Sequence, residues 1–169
     1  SDWPVSIIPN PINIESWKPL DKKIAREQLN LPQNIPLILF GATSATEDPN
    51  KGYDLLLSSL EYLKKNSKIK EFQLVVFGQS KSNSKLSHGY PIHFMGQLYD
   101  DISLRVLYSA ADVMMVPSRK EAFGQTASEA QACGTSVVSF NIGGLKDIVQ
   151  HKKTGYLAEA FDIKDLARG

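Results

Sequence analysis

Several features that would fix the class of a protein are scarce or absent in this sequence. Its 169 residues include a single cysteine, Cys133, which excludes an intramolecular disulfide and agrees with a reducing compartment. No apolar run approaches the roughly 20 residues that span a bilayer, and the N-terminus lacks the basic start and apolar middle of a signal peptide. The formal net charge of +1 creates no strong field for nucleic acid or for an anionic membrane. We therefore expect a cytoplasmic protein in which any affinity for phosphate comes from a local site.

The common nucleotide and metal motifs are missing as well. No G-x-G-x-x-G follows the first strand and no G-x-x-x-x-G-K-[ST] occurs, which argues against a dinucleotide dehydrogenase and against a P-loop NTPase. Neither H-E-x-x-H nor G-x-S-x-G is present. His88, His93 and His151 stand isolated from one another in the sequence, so we expect no metal site.

What the sequence does contain is a regular alternation of short apolar runs and longer amphipathic segments. The runs predict strands at 5–8, 37–40, 74–77, 92–95, 112–116, 136–140 and 155–157. The amphipathic segments predict helices at 21–29, 51–66, 100–109, 123–132 and 144–150, with a further helix opening at Asp162. Such alternation predicts an α/β fold, a Rossmann-like open parallel sheet with helices on both faces. Because ligands of these sheets bind at the carboxyl ends of the strands, we expect Gly41, Gly78, Gly96 and the loop 117–124 to face one crevice.

One segment, residues 121–129, offers three groups in a useful order. Glu121 precedes a helix, and the first helical amides, near Gly124, Gln125 and Thr126, have no partner within the helix and suit an anion such as a diphosphate. The Glu121 carboxylate can accept hydrogen bonds from sugar hydroxyls. Glu129 follows about a turn and a half further along the helix, where it could reach a vicinal diol such as a ribose. From spacing alone, a capped helix with two surface glutamates remains an open alternative.

At this point the sequence resembles a known family, the family 4 retaining glycosyltransferases. Residues 117–129 resemble the E-x7-E motif of that family, including the Phe-Gly that follows the first glutamate. Residues 8–13 resemble the segment that enters the C-terminal domain, and residues 51–56 resemble the K-G-x-x-x-L helix start. The run 108–112 precedes the motif as in the family, and Gly143-Gly144 with residues 147–149 resembles the G-G-x-x-E-x-V element that follows it. These matches occur in the family's order and extend over nearly the whole chain.

The resemblance implies the GT-B architecture, in which two Rossmann-like domains enclose the active site. Residues 1–169 would be a single domain, the C-terminal one that binds a nucleoside-diphosphate sugar, and the full enzyme would transfer the sugar to an acceptor hydroxyl with retention. Lys51 would contact the diphosphate and Glu121 the donor sugar, and these are the two catalytic candidates. A lysine at a helix start conflicts with the helix dipole, and a bound diphosphate would remove that conflict. The donor-binding candidates are Gly41, Leu98, Phe123, Gly124, Gln125, Thr126 and Glu129.

The sequence departs from the family pattern in ways that bear on function. The family's arginine after the first strand is replaced by Ala42-Thr43-Ser44, so we expect either that one cation holds the diphosphate or that a nearby arginine such as Arg119 substitutes. Asp147 stands where the family has glutamate. Without an N-terminal acceptor domain the chain should bind donor yet transfer sugar poorly, and any contact with the inner membrane face would lie in that domain. The alternatives are a sugar-nucleotide 2-epimerase, a glycogen-synthase-like enzyme and a non-catalytic flavodoxin-like binding module.

Overall fold

A six-stranded parallel sheet forms the centre of the protein. The computed structural model describes residues 3–4, 6, 8, 10–41, 44, 46–69, 71–79 and 89–169. The strands are β1 (Leu37–Gly41), β2 (Gln73–Phe77), β3 (Ile92–Phe94), β4 (Val113–Val116), β5 (Ser136–Phe140) and β6 (Gly155–Ala158). They pair in the order β3-β2-β1-β4-β5-β6, and every pairing is parallel.

Helices precede, follow and connect most of the strands. They are α1 (Lys22–Gln28), α2 (Tyr53–Asn66), α3 (Asp101–Ala110), α4 (Gln125–Ala132), α5 (Leu145–Ile148) and α6 (Ile163–Arg168), and a 3₁₀ turn spans Pro49–Lys51. Three helices begin behind an aspartate whose carboxylate accepts a hydrogen bond from a backbone amide of the first turn: Asp21, Asp100 and Asp162. Such caps satisfy amides that the helix itself leaves unpaired.

The sheet is covered on both faces. Side chains of β1 accordingly alternate between two separate cores. Leu37 and Leu39 belong to the core formed with α1, α3 and α4, whereas Ile38 and Phe40 belong to the core under α2 and α6. All five residues of β1 are buried, as befits a central strand of a parallel sheet. The predicted α/β fold, with an open parallel sheet and helices on both faces, is confirmed.

Some boundaries differ from the sequence-based prediction. The helix predicted from residue 51 begins at Tyr53, because Gly52 takes a left-handed conformation that ends the preceding 3₁₀ turn. The helix predicted from residue 123 begins at Gln125, after a left-handed Gly124. The predicted strand 5–8 lies partly outside the described residues, as do the segments 42–50 and 79–89 between predicted elements. Within the described part of the chain, no helix is long and apolar enough to cross a membrane.

The strand order reverses between β1 and β4, which fixes where a ligand can enter. Connections from β1 lead to β2 on one side, and those from β4 lead to β5 on the other. In open α/β sheets the loops diverge at this point and leave a crevice at the carboxyl ends of the two strands. Gly41 ends β1, and Pro117 directly follows β4.

Candidate functional site

Lys51 lies at the carboxyl end of the 3₁₀ turn Pro49–Lys51, beside the crevice between β1 and β4. Gly52 follows it with φ 69° and ψ 34°, and a Cβ atom there would lie 2.0 Å from the carbonyl oxygen of Pro117. Only glycine therefore lets this turn approach the end of β4 so closely. The expectation that Lys51 sits in the first turn of a helix was wrong. Lys51 instead ends the 3₁₀ turn and directly precedes Gly52, the N-cap of α2, so its charge still lies next to the positive end of the α2 dipole.

The crevice brings together Lys51 and Glu121, which are 70 residues apart in the sequence. The Lys51 Nζ atom donates to Glu121 Oε2 at 3.2 Å, and the Ser118 hydroxyl donates to the same oxygen at 3.3 Å. The Lys51 and Glu121 side chains are 26% and 17% exposed, so the pair is half-buried and is weakly screened by solvent. Gly41 and Thr126 line the same small cavity of about 10 Å³. With the Lys51–Glu121 pair formed, this cavity has room for no more than about one water molecule.

The loop that carries Glu121 rests on two glycines from the β5–α5 connection. A Cβ atom on Gly143 would lie 2.0 Å from the Glu121 carbonyl oxygen, and one on Gly144 would lie 2.5 Å from that of Ala122. The Gly144 amide donates to the Glu121 carbonyl at 3.1 Å. These contacts give Gly143-Gly144 a physical role: they let two loops touch backbone to backbone and so fix where the Glu121 side chain starts.

Helix α4 begins at the edge of this cavity. Gly124 is its N-cap, is buried and has φ 94°, and a Cβ atom there would lie 2.7 Å from the Leu145 side chain. The first bond closing the helix runs from the Ser128 amide to the Gly124 carbonyl. The amides of Gln125 and Thr126 precede that bond, so they have no partner within the helix and are available to an anion.

Glu129 lies on the buried side of α4, at a second cavity. This cavity measures about 330 Å³ and is lined by Asn10, Pro11, Ile12, Asn13, Trp17, Phe123, Gln125, Ser128 and Glu129. Glu129 is only 6% exposed, so the alternative of a surface glutamate does not hold at this position. Its carboxylate accepts hydrogen bonds from the Tyr108 hydroxyl at 2.8 Å and from Gln125 Nε2 at 2.9 Å. No ion pair to it occurs among the described residues, and burial raises the pKa of its carboxyl.

Tyr108 holds Glu129 from within the first core. The tyrosine is fully buried, and its ring packs edge-on against Phe77 and at a tilt against Trp17, each at 5.8 Å between ring centres. Burial and the nearby Glu129 charge raise the pKa of its phenol, which therefore stays protonated and donates. The sequence pattern predicted no role for the Tyr108 hydroxyl or for Ser118. A phenol within an apolar helix face was the available signal, since a buried hydroxyl needs a partner.

Two further candidates lie away from the Lys51–Glu121 cavity. Leu98 is half-buried, packs against the first core and lines neither cavity. Arg119, considered as a substitute for the missing arginine, pairs with Asp54 instead of facing Lys51. Residues 42 and 43, where the family has that arginine, lie outside the described residues. The structure therefore assembles Gly41, Lys51, Glu121 and Thr126 around one cavity, and Phe123, Gln125 and Glu129 around the other.

Comparisons with known proteins agree with this fold. D-inositol 3-phosphate glycosyltransferase of Xylanimonas cellulosilytica is 32% identical over 174 aligned residues, which cover 94% of this chain and 40% of that protein. Sucrose-phosphate synthase of Thermosynechococcus elongatus superposes with a TM-score of 0.76 at 32% identity, covering 93% of this chain and 40% of that one. HepE of Anabaena, solved in complex with UDP-glucose, shares the fold with a TM-score of 0.73 at 23% identity, over 94% of this chain and 44% of its own.

This chain spans about 40% of the length of the curated relatives that it matches. The family model described as "Glycosyl transferases group 1" matches residues 21–169, which is most of the chain and includes both cavities except for the segment 10–17. The chain therefore belongs to the glycosyl transferases group 1 family.

Proposed function

We propose that this chain is the donor-binding domain of a retaining glycosyltransferase and that it binds a nucleoside-diphosphate sugar between β1 and β4. The observation that carries the proposal is the meeting of Lys51, Glu121 and the amino end of α4 at the point where the strand order reverses. These groups combine a cation, unpaired amides and a carboxylate acceptor within one crevice. We further propose that residues 1–169 form a single domain of a two-domain enzyme of the GT-B type, with the acceptor bound by the other domain.

The proposed roles follow from charge and geometry. Lys51 and the amides of Gln125 and Thr126 bind the diphosphate, on which negative charge develops as the bond to the sugar breaks. Glu121 accepts hydrogen bonds from hydroxyls of the donor sugar and orients it, without acting as a base. Because a lysine and helix amides can neutralise the leaving diphosphate, this mechanism requires no metal ion.

Glu129 is proposed to accept hydrogen bonds from the ribose. It lies at the 330 Å³ cavity, with its carboxylate already oriented by Tyr108. Gln125 donates to the other carboxylate oxygen, and its side chain would have to move aside or share that oxygen when a ribose hydroxyl binds. The run from Glu121 through the helix amides to Glu129 thus matches the order of sugar, diphosphate and ribose, which is the role proposed for the E-x7-E motif.

Isothermal titration calorimetry on the chain with UDP, GDP and ADP tests the proposal. UDP is the first probe, since HepE has been solved with UDP-glucose. We expect one nucleotide to bind, and the variant Lys51→Ala to weaken it by roughly ten- to a hundredfold, because a hydrogen bond to a charged group contributes about 1.5–3 kcal/mol. Glu129→Ala should weaken the same nucleotide by about tenfold through loss of the ribose acceptor.

The matched control is Lys153→Ala, which removes an exposed lysine outside both cavities and should leave the affinity unchanged. Folding of each variant is checked by thermal denaturation. If a folded chain bound none of the three nucleotides, or if Lys51→Ala and Lys153→Ala bound equally well, the assignment of the donor site would be wrong. The retaining outcome and the cytoplasmic location stay predictions.

A further inference from the structure

Arg119 ties the loop after β4 to the turn that carries Lys51. Its backbone amide donates to the Asn50 carbonyl at 2.7 Å, and its guanidinium Nη1 donates to the Pro49 carbonyl at 2.8 Å. The same guanidinium forms a bidentate pair with Asp54 in the first turn of α2, with distances of 2.8 Å to Oδ1 and 2.6 Å to Oδ2. One residue thus holds the chain on both sides of Lys51.

These contacts act on the segment whose position decides where the Lys51 ammonium points. Asn50 immediately precedes Lys51, and Gly52, which follows it, lies against the Pro117 carbonyl. Arg119 itself belongs to the loop that carries Glu121. From this geometry we infer that Arg119 is a positioning residue, which, through Asp54 and the 3₁₀ turn, holds the Lys51 backbone in place so that its ammonium group can reach a donor diphosphate in the crevice.

The hydrogen bonds of the Arg119 guanidinium indicate that it does not serve as a phosphate ligand. Both Nη atoms are directed to Asp54, and Nη1 is also directed to Pro49. The Asp54 carboxylate neutralises the charge that a phosphate would need, and the hydrogen bond from Arg119 lowers the pKa of that carboxyl. Their side chains are 35% and 65% exposed, so the pair contributes little to global stability. What it supplies is the fixed planar geometry of a two-pronged contact.

The inference rests on the proposed donor site, and a double-mutant cycle with UDP as the probe tests it by calorimetry. If Arg119 acts by placing Lys51, Arg119→Ala and Asp54→Ala should each weaken UDP on the order of tenfold, since small displacements of a binding group are costly. In a Lys51→Ala background, Arg119→Ala should cause no further loss, because there is no ammonium left to place. Arg119→Lys should also lose affinity, since an ammonium cannot reproduce the bidentate contact.

The matched control is Arg168→Ala, which removes an arginine paired at 2.8 Å with Asp165 outside both cavities and should bind UDP as the unaltered chain does. Thermal denaturation verifies that each variant is folded. Tighter UDP binding by Asp54→Ala would overturn the inference, because a freed Arg119 would then be acting as a phosphate ligand. Additive losses in Lys51→Ala/Arg119→Ala would overturn it as well.

The same data separate this inference from the proposed function. If Lys51→Ala weakens UDP but Arg119→Ala does not, only the positioning role fails. If the unaltered chain binds none of UDP, GDP and ADP, the donor site fails and the positioning role fails with it.

Discussion

Replacing Glu121 by glutamine should tighten the binding of a free nucleoside diphosphate. Glu121 competes for the ammonium that the diphosphate needs, since Lys51 Nζ lies 3.2 Å from Glu121 Oε2. A diphosphate that binds Lys51 must break this ion pair. It must also lie beside the negatively charged Glu121 carboxylate. Glu121→Gln keeps the shape of the side chain but removes both costs.

The size of the effect follows from the distance and the burial of the pair. Two unit charges at 3.2 Å attract by about 1 kcal/mol in water and by about 5 kcal/mol at an effective dielectric constant of 20. Desolvation offsets much of this attraction for half-buried groups. A net strength of about 1–2 kcal/mol remains, comparable to a hydrogen bond to a charged group. Relief of that amount predicts UDP binding that is roughly 5- to 30-fold tighter.

The full donor should respond differently from the free nucleotide. UDP-glucose, used as a probe, would lose the charged acceptor for its sugar hydroxyls, so its affinity should rise less than that of UDP or should fall. Calorimetry with both ligands on Glu121→Gln measures this, with the exposed Glu159→Gln as the matched control. The gain for UDP should also shrink at high salt, because screening weakens the competing pair. If UDP bound Glu121→Gln no more tightly than the unaltered chain, the Lys51–Glu121 ion pair would not be competing with the nucleotide.

Three further predictions concern stability. Burial raises the pKa of Glu129, so the stability of the fold falls as pH rises through that pKa. Glu129→Gln removes this charge, so it should stabilise the fold at neutral pH while weakening nucleotide binding. Urea denaturation at pH 5 and pH 8 should show that the difference in stability between the variant and the unaltered chain is larger at pH 8. Gly144→Ala places a Cβ 2.5 Å from the Ala122 carbonyl and should cost about 1–3 kcal/mol; an unchanged denaturation midpoint would contradict that close approach. Arg26→Met removes the nearly buried guanidinium that pairs with Asp112 at 2.6 Å and donates to the Ala110 carbonyl, and it should cost about 1–3 kcal/mol in urea denaturation. A loss well below 1 kcal/mol would mean that Lys22 alone satisfies the carboxylate.

The architecture could be predicted from the sequence because its signals are local. A continuous apolar run closed by a glycine predicts a strand such as β1, and leucines at helical spacing predict α2. The cap of α1 by Asp21 is likewise a local feature, since a cap acts within one turn. Boundaries at residues 51 and 123 were misjudged for the opposite reason. Gly52 and Gly124 take left-handed conformations where the chain passes close to Pro117 and Leu145, which are distant in the sequence.

For the candidate site, too, the sequence predicted the local order of groups but not their partners. Residues 121–129 gave the order of acceptor, amides and acceptor, but not that Glu129 is buried against Tyr108 while Glu121 is paired with Lys51. Helical spacing alone left a surface glutamate as an open alternative for residue 129. Only the packing of α4 on α3 decided it, by placing a tyrosine hydroxyl 2.8 Å from the carboxylate.

By itself the sequence determined the alternation of strands and helices and the segment 121–129 where an anion could bind. It also showed that the common nucleotide motifs are absent. Each of these depends on residues within a few turns of one another. Tertiary structure alone decided that Lys51 meets Glu121 across 70 residues and that Arg119 faces Asp54 rather than a ligand. The physical reason is that the charge and reach of a side chain are read from its identity, whereas its partner depends on which loops converge where β1 and β4 end.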